Sequence, residues 1–203
     1  MVRRMALFLL VVASGSLVWG QSAKPAPDPM TPAARTFTDS RYGVSLALPA
    51  GWDLSRRDGE LSTFHLDARS APVSSQLRAV AAISFNPYPL STFSGALVYF
   101  SVAPRLSDAD CARQAFLPLH KPATTAQING ISFSRGHDEH GGMCTESRDD
   151  VYTAWRRNAC YRFDLVLNTF CAKVSGAQEM TLPELEEIHA REIKILQSIE
   201  LKP

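Results

Sequence analysis

The stretch VYTAWRRNACYRFDLVLNTF, residues 151–170, decides the fold. Two runs rich in β-branched and aromatic residues flank Arg157-Asn158, which predicts two antiparallel strands, Val151–Arg156 and Ala159–Phe170. Side chains of the longer strand separate onto two faces by alternation. One face carries Tyr161, Phe163, Leu165 and Leu167, and the other carries Arg162, Asp164 and Asn168. The chain therefore builds an antiparallel sheet with an apolar face to bury.

Other parts of the chain add strands and two helices to this sheet. The strand pattern recurs in the segments Tyr42–Leu48, Trp52–Leu54, Ser62–Asp67, Ala79–Phe85, Ala96–Val102 and Ile128–Phe133, the last with Asn129-Gly130 as a turn or bulge inside it. Ser107 caps a short helix whose apolar spacing continues through Cys111, Ala115, Phe116 and Leu119 until Pro122.

The clearest helix follows a capping box, Thr181-Leu182-Pro183-Glu184. Its apolar residues recur at helical spacing, namely Leu185, Ile188, Ile195, Leu196 and Ile199. Residues Ser198–Lys202 close the chain as a short edge strand. This order predicts an α+β fold, in which a short central helix and a long C-terminal helix pack on an antiparallel sheet of about six strands.

The first twenty residues, MVRRMALFLLVVASGSLVWG, predict export. Two arginines precede an apolar stretch and a small-residue cleavage site, as in a signal peptide, residues 1–20. The alternative, an uncleaved membrane anchor, is disfavoured because Ser14, Gly15 and Ser16 interrupt a stretch already short of a bilayer span. A lipid anchor would need a cysteine near the cleavage site, and the first is Cys111. We expect a secreted or periplasmic protein without a stable membrane anchor.

The rest of the chain reads as a linker and one domain. Residues 21–40 are rich in proline, alanine, serine and threonine, which is typical of an extended linker, and residues 41–203 form a single α+β domain. The net charge is +1, and basic residues occur as pairs and not as runs. This balance argues against a nucleic-acid partner.

In an oxidising compartment the four cysteines are candidates for disulfides. A two-residue turn at Arg157-Asn158 places Trp155 opposite Cys160 and, if the hairpin continues unbroken, Cys144 opposite Cys171. Cys160 then pairs with Cys111 on the short helix. Spacing alone does not fix connectivity, so the other two pairings stay open. A redox-active pair is disfavoured because the chain lacks a Cys-x-x-Cys motif.

The densest group of possible metal ligands is His137-Asp138-Glu139-His140. Its setting between Gly136 and Gly142 predicts a solvated polar loop, with a metal site as the alternative. The other histidines, His65, His120 and His189, are expected to be packed or solvated. Adjacent carboxylates such as Asp149-Asp150 point in different directions and make poor acid–base pairs. We therefore assign no catalytic, cofactor-binding or metal residue.

The segment Phe85–Phe93, FNPYPLSTF, is a candidate recognition loop because proline stiffens its aromatic residues. The competing interpretation packs Phe85 and Phe93 into the core and leaves Tyr88 exposed.

The opening strand carries a family resemblance. Tyr42-Gly43 followed by Leu48-Pro49-Ala50-Gly51-Trp52 resembles the first hairpin of the PsbP/Mog1-like domains, and the element order extends the resemblance over Arg41–Pro203. It implies an antiparallel sheet sandwiched by helices. The family's roles in photosystem II or with a nuclear GTPase do not transfer to an exported chain without matching binding residues. The four cysteines are a further departure from the family.

Two functional hypotheses follow from the sequence. The first is an exported, non-enzymatic, disulfide-stabilised binding or accessory domain, whose partner is an envelope protein or a small ligand. The second is a secreted metal-assisted hydrolase that uses the His137/His140 loop. A pocket that gathers one of these histidines with another histidine or a carboxylate would favour the enzyme, and an exposed apolar patch would favour the binding domain.

Overall fold

The computed structural model describes residues 24–25, 35–56, 75–115, 124–142 and 144–202. Within them the strands are β1 (Arg35–Asp39), β2 (Val44–Leu48), β3 (Trp52–Ser55), β4 (Gln76–Ile83), β5 (Phe93–Pro104), β6 (Thr124–Ile128), β7 (Ile131–Gly142), β8 (Thr145–Arg156), β9 (Ala159–Phe170) and β10 (Glu200–Leu201). The helices are α1 (Asp108–Gln114), α2 (Ala172–Ser175) and α3 (Leu182–Gln197). Among these described helices none is long and apolar enough to cross a bilayer.

The β8–β9 hairpin forms as the sequence predicts. Its pairs run without interruption from Arg156 opposite Ala159 to Thr145 opposite Phe170, and Trp155 lies opposite Cys160. The turn residues Arg157 and Asn158 have φ values of 51° and 59°. Positive φ at both central residues is the condition for a type I′ turn, whose twist matches that of the strands. The turn thus sets the register without a glycine.

Ten described strands form two antiparallel sheets. The large sheet has seven strands in the order β3-β4-β5-β9-β8-β7-β6, and the small sheet has the order β1-β2-β10. The prediction of about six strands is close for the large sheet. Strand β1 at Arg35–Asp39 falls inside the predicted linker, residues 21–40, so the folded part begins earlier than predicted. The predicted strand Ser62–Asp67 lies outside the described residues.

One face of the large sheet carries α3 and the small sheet. Phe100 of β5 stacks on Phe163 of β9 with ring centroids 4.9 Å apart, and Phe37 of the small sheet meets Phe100 edge-on at 6.4 Å. Helix α3 begins at the predicted capping box, in which the backbone N–H of Thr181 donates to Glu184 Oε2 at 2.7 Å. The main core, between α3, the small sheet and the large sheet, includes the buried residues Leu46, Leu48, Leu165, Ile188, Ile195, Leu196 and Ile199.

The opposite face of the large sheet holds α1. A disulfide joins Cys111 of α1 to Cys160 of β9, with a Cα–Cα distance of 5.2 Å. The guanidinium of Arg162 donates to the backbone oxygen of Gln114 at 3.0 Å and to both carboxylate oxygens of Asp164. Helices therefore cover both faces, which gives the predicted α/β/α sandwich, and the polar residues of β9 are buried as well.

Two predicted elements differ in the structure. Asn129 and Gly130 are not inside a strand Ile128–Phe133, because they form the turn between β6 and β7, with φ values of 49° and 72°. The Asn129 side chain holds this turn against the C-terminal end of α3 by donating to the Gln197 and Ile199 carbonyl oxygens at 2.5 and 3.0 Å. Helix α1 ends at Gln114, and residues 116–123 lie outside the described part of the chain.

The turn at Arg157-Asn158 gives a stability prediction. The double variant Arg157→Asn/Asn158→Gly introduces the pair that type I′ turns favour, so we expect the free energy of unfolding to rise by about 0.5–1 kcal/mol in urea titrations. Arg157→Pro is the opposite-sign control, because proline forces φ to about −65° and must weaken the hairpin. A destabilised Asn-Gly variant would contradict the turn geometry.

Candidate functional site

An open groove of roughly 690 Å³ runs between α3 and the strands β7, β8 and β9. Its apolar lining comes from both sides, from Leu165 and Leu167 of the sheet and from Leu185 and Ile193 of the helix. Register determines this lining, because Leu165 lies opposite Asp150 and Leu167 opposite Arg148. Charged side chains thus sit directly beside the apolar floor.

Asp150 is the centre of the polar part of the groove. Arg135 donates to its Oδ1 atom through Nε at 3.1 Å and Nη2 at 3.0 Å. His137, directly opposite Asp150 in the β7–β8 register, places Nδ1 3.4 Å from the same oxygen. Burial acts to raise the pKa of Asp150, but the hydrogen bond with His137 and the charges of Arg135 and His189 outweigh it and lower that pKa.

His189 of α3 lies between two carboxylates. Its Nε2 atom is 3.5 Å from Asp150 Oδ2, and its Nδ1 atom is 3.5 Å from Glu192 Oε2. The interaction with Glu192 is the main cause that raises the pKa of His189, against the effect of burial. The pKa of His137 is raised as well, mainly by its hydrogen bond with Asp150. Both imidazoles are therefore easier to protonate than a free histidine.

Glu192 is fully buried in the middle of the apolar stripe of α3. Within the described residues neither of its carboxylate oxygens has a hydrogen bond of good geometry, and the groups that approach it are the imidazole of His189 and the backbone of Leu97. Burial raises the pKa of Glu192 to about 7, although His189 acts in the opposite direction. At neutral pH this carboxyl group is poised between its two charge states.

The predicted His137/His140 loop is wrong, because both residues lie in strand β7. Alternation along the strand sends His137 into the groove and His140 to the opposite face, where its Nδ1 atom is 3.2 Å from Asp138 Oδ2. The two histidines therefore do not form one site, as the metal-assisted hydrolase hypothesis requires. Across the described part of the chain, no group of three or more His, Cys, Asp or Glu side chains is arranged to hold a metal ion.

Sequence reasoning missed Glu192 and gave His189 no role. A signal was present, since residue 192 occupies the position between Ile188 and Ile195 where the helical spacing calls for an apolar side chain. A carboxylate at such a position predicts a buried charge with a partner, and His189 lies one turn away.

The sequence predicts that the adjacent carboxylates Asp149 and Asp150 point in different directions. In the structure Asp150 lines the groove and Asp149 does not. His65 and His120 lie outside the described residues.

The candidate recognition loop does not expose its tyrosine. Tyr88 and Phe93 are both buried, and burial is the main cause that raises the pKa of Tyr88. Phe85 is partly buried beneath the guanidinium of Arg191, 5.7 Å from its ring centroid. The expectation that Tyr88 is exposed is therefore wrong, and Leu90 is the large apolar residue that this loop presents to solvent.

Cys144 and Cys171 extend the β8–β9 register by one further position and are free cysteines in the structure. The backbone N–H of Cys171 donates to the carbonyl oxygen of Cys144 at 3.1 Å. A hydrogen bond with the Cys144 thiol is the main cause that raises the pKa of Cys171 to about 11. Their predicted disulfide stays a prediction.

Comparison with known proteins supplies fold neighbours. Solved structures similar to this chain include LpqN of Mycobacterium tuberculosis, which is involved in cell envelope biogenesis, with 11% identity, a TM-score of 0.49 and coverage of 84% of this chain and 91% of that one. Cyanobacterial PsbP (CyanoP) of Synechocystis sp. PCC 6803 has 10% identity, a TM-score of 0.45 and coverage of 84% and 93%. A mutant of the protein Mog1 has 9% identity, a TM-score of 0.44 and coverage of 83% and 95%. The structures to which this chain is similar thus include a PsbP and a Mog1, the two proteins for which the predicted fold resemblance is named.

A further similar structure is a protein of Bacteroides thetaiotaomicron with 12% identity and a TM-score of 0.48. This chain spans 48% of the length of that protein, and 83% of its own length is covered. No protein-family model matches the chain, and no curated protein matches it.

The buried Glu192 predicts how stability depends on pH. A carboxyl group whose pKa is raised in the folded state binds more protons there than in the unfolded chain, so stability falls as pH rises from about 4.5 to 7. The raised pKa values of His137 and His189 act in the same direction. We expect Glu192→Gln to flatten this dependence and to raise the free energy of unfolding near pH 8 by on the order of 1–3 kcal/mol.

Urea titrations between about pH 5 and pH 8 measure this effect. Glu187→Gln, on the exposed side of the same helix, is the matched control and should follow the wild-type curve. A Glu192→Gln protein that is less stable than wild type at pH 8 would contradict the assignment of a poorly compensated buried charge.

Proposed function

We propose that this protein is an exported binding domain and that its α3 groove binds a small molecule with a largely apolar body. The observation that carries the proposal is the chain Glu192–His189–Asp150, in which the partly exposed His189 joins two buried carboxylates in the groove wall. Folding alone gives no reason for it, because an apolar side chain at residue 192 would pack at lower cost than a carboxylate. Clusters of titratable groups with shifted pKa values, set in a concave site, are typical of functional sites.

The dimensions of the groove support a small-molecule ligand. Its volume of roughly 690 Å³ falls within the range of about 300–1,000 Å³ that is usual for such sites. The lining combines leucine and isoleucine side chains with a few convergent polar groups, as ligand sites generally do. Among the described residues that line it, none carries a hydroxyl or thiol group that could act as a nucleophile. That composition supports binding over acyl transfer.

Export is supported by the Cys111–Cys160 disulfide. Structural disulfides persist in oxidising compartments and are rare in the cytosol. The segment that would direct export, residues 1–20, lies outside the described residues, so the evidence for its role is its sequence pattern. We accordingly propose a secreted or periplasmic location.

A neutral, apolar fluorescent probe tests the groove. N-phenylnaphthylamine should bind the wild-type protein. Leu182 also lines the groove, so Leu182→Glu should weaken binding at least about tenfold by placing a charge on the apolar lining. Leu182 is 63% exposed and lies in the first turn of α3, where glutamate suits the helix dipole, so this variant should fold normally.

Leu90→Glu is the matched control for this titration. Leu90 is 83% exposed and lies outside the groove lining, so the same chemical change should leave probe binding unaltered. Equal losses in the two variants, or no binding by the wild type, would overturn the proposal.

We also propose that Cys144 and Cys171 form a second disulfide once the protein reaches an oxidising compartment. Their register and the backbone hydrogen bond between them support this pairing. Peptide mapping of protein secreted by its native host, without reduction, should yield the two linked fragments Cys111–Cys160 and Cys144–Cys171. Recovery of a Cys160–Cys171 fragment, or of Cys144 as a free thiol, would contradict it.

A further inference from the structure

We propose that the ligand of the α3 groove is an amphipathic anion, whose apolar body lies on the leucine floor and whose negatively charged group lies against Arg135, His137 and His189. This inference rests on the proposed function, because it names the chemical class of the ligand for the same groove.

The charged groups at the centre of the groove differ in their exposure to solvent. The side chains of Arg135, His137 and His189 are 41%, 37% and 33% exposed, whereas that of Asp150 is 9% exposed and that of Glu192 is 1% exposed. The Asp150 and Glu192 carboxylates therefore lie beneath the guanidinium and imidazole groups, whereas the side chain of Glu139 is 57% exposed and lies beside His137. One Asp150 carboxylate faces three groups that carry or can acquire a positive charge. An anionic ligand group would balance the positive charge that these three groups carry when both imidazoles are protonated.

Other charged side chains face the same part of the groove. From the strands come Glu139, whose Oε1 atom is 3.3 Å from His137 Nε2, and Arg148, whose Nε atom is 3.5 Å from the same carboxylate oxygen. From α3 come Glu186 and Lys194. Arg148 offsets Glu139, and Lys194 offsets Glu186. At the centre Arg135 offsets Asp150, so the positive charge there is set by protonation of His137 and His189 against that of Glu192.

The apolar floor adjoins the centre directly. Leu165 is the cross-strand neighbour of Asp150, and Leu167 follows on the same face of β9 beside Arg148. Ile193 lies one helical turn from His189 on the same side of α3. A molecule with a compact anionic group and an attached apolar body therefore matches the order of side chains along the groove.

Acidification should strengthen the binding of such a ligand. The raised pKa values of His137 and His189 favour their charged forms as pH falls toward 6, while Glu192 becomes neutral. Asp150, whose pKa is lowered, stays ionised throughout this range. Each of the three changes makes the centre of the groove more positive.

Two probes that share one aromatic ring system test the proposal. Anilinonaphthalene sulfonate is an anion, and N-phenylnaphthylamine is its neutral counterpart. We expect the sulfonate to bind more tightly than the neutral probe, and its affinity to rise roughly three- to tenfold between about pH 8 and pH 6. Binding of the neutral probe should change little with pH.

The double variant His137→Gln/His189→Gln should lose the pH dependence of sulfonate binding and keep its affinity for the neutral probe, which also shows that the variant is folded. His140→Gln is the matched control, because it removes an imidazole from the opposite face of the same strand. It should behave as wild type for both probes.

The outcomes separate this inference from the proposed function. If the neutral probe does not bind in the groove, the proposed function fails. If it binds but the sulfonate shows no advantage, or if His140→Gln has the same effect as the double variant, the inference fails and the proposed function stands. Probe binding that weakens as protein concentration rises would assign the groove to a second copy of the chain and would overturn the inference.

Discussion

The register of the β8–β9 hairpin is the constraint on which the remaining structure depends. The positive φ values of Arg157 and Asn158 allow a two-residue turn, and the pairing then runs unbroken to Thr145 and Phe170. Because side chains alternate between faces, a slip of one residue would exchange every side chain of β9 between the two helical layers. The register thus determines that Cys160 meets α1, where it bonds Cys111, while Phe163 and Leu165 meet the opposite layer.

The groove results from this register together with one buried charged residue in α3, Glu192. Strand β8 carries Asp150 to the α3 face, beside Leu165, and β7 places His137 opposite it. The buried stripe of helix α3 is mostly apolar, as expected, but Glu192 lies at its centre. His189 connects this carboxylate to Asp150, so the charge state of the groove is coupled to the stability of the helix against the sheet. The site and the fold are therefore held by the same contacts.

The sequence predicted the parts of the fold that local chemistry specifies. The β8–β9 strands follow from alternation and β-propensity, and α3 follows from its capping box and apolar spacing. The partnership of Cys160 with Cys111 was predicted from the register of the hairpin, which places Trp155 opposite Cys160 and Cys144 opposite Cys171. In each case the signal lies within one element or one hairpin.

The remaining features depend on contacts between distant segments. Strand β7 contains glycines, histidines and acidic residues that are typical of loops, and it is a strand because β6 and β8 pair with it on both sides. Tyr88 is buried although its loop is rich in proline. The groove brings together residues of β7, β8 and α3 whose proximity no local pattern indicates. Two of its residues carry a signal in the sequence, His137 within a polar cluster and Glu192 within an apolar helical stripe.

Backbone amide chemical shifts, followed by NMR as anilinonaphthalene sulfonate is added, test most directly whether the groove is the ligand site. We predict that the largest chemical-shift changes occur at the β7 and β8 residues around His137 and Asp150 and in α3 between Leu185 and Ile193. Changes that centre instead on the Cys144–Cys171 end of the hairpin or on the Leu90 loop, or that spread evenly over the surface, would contradict it.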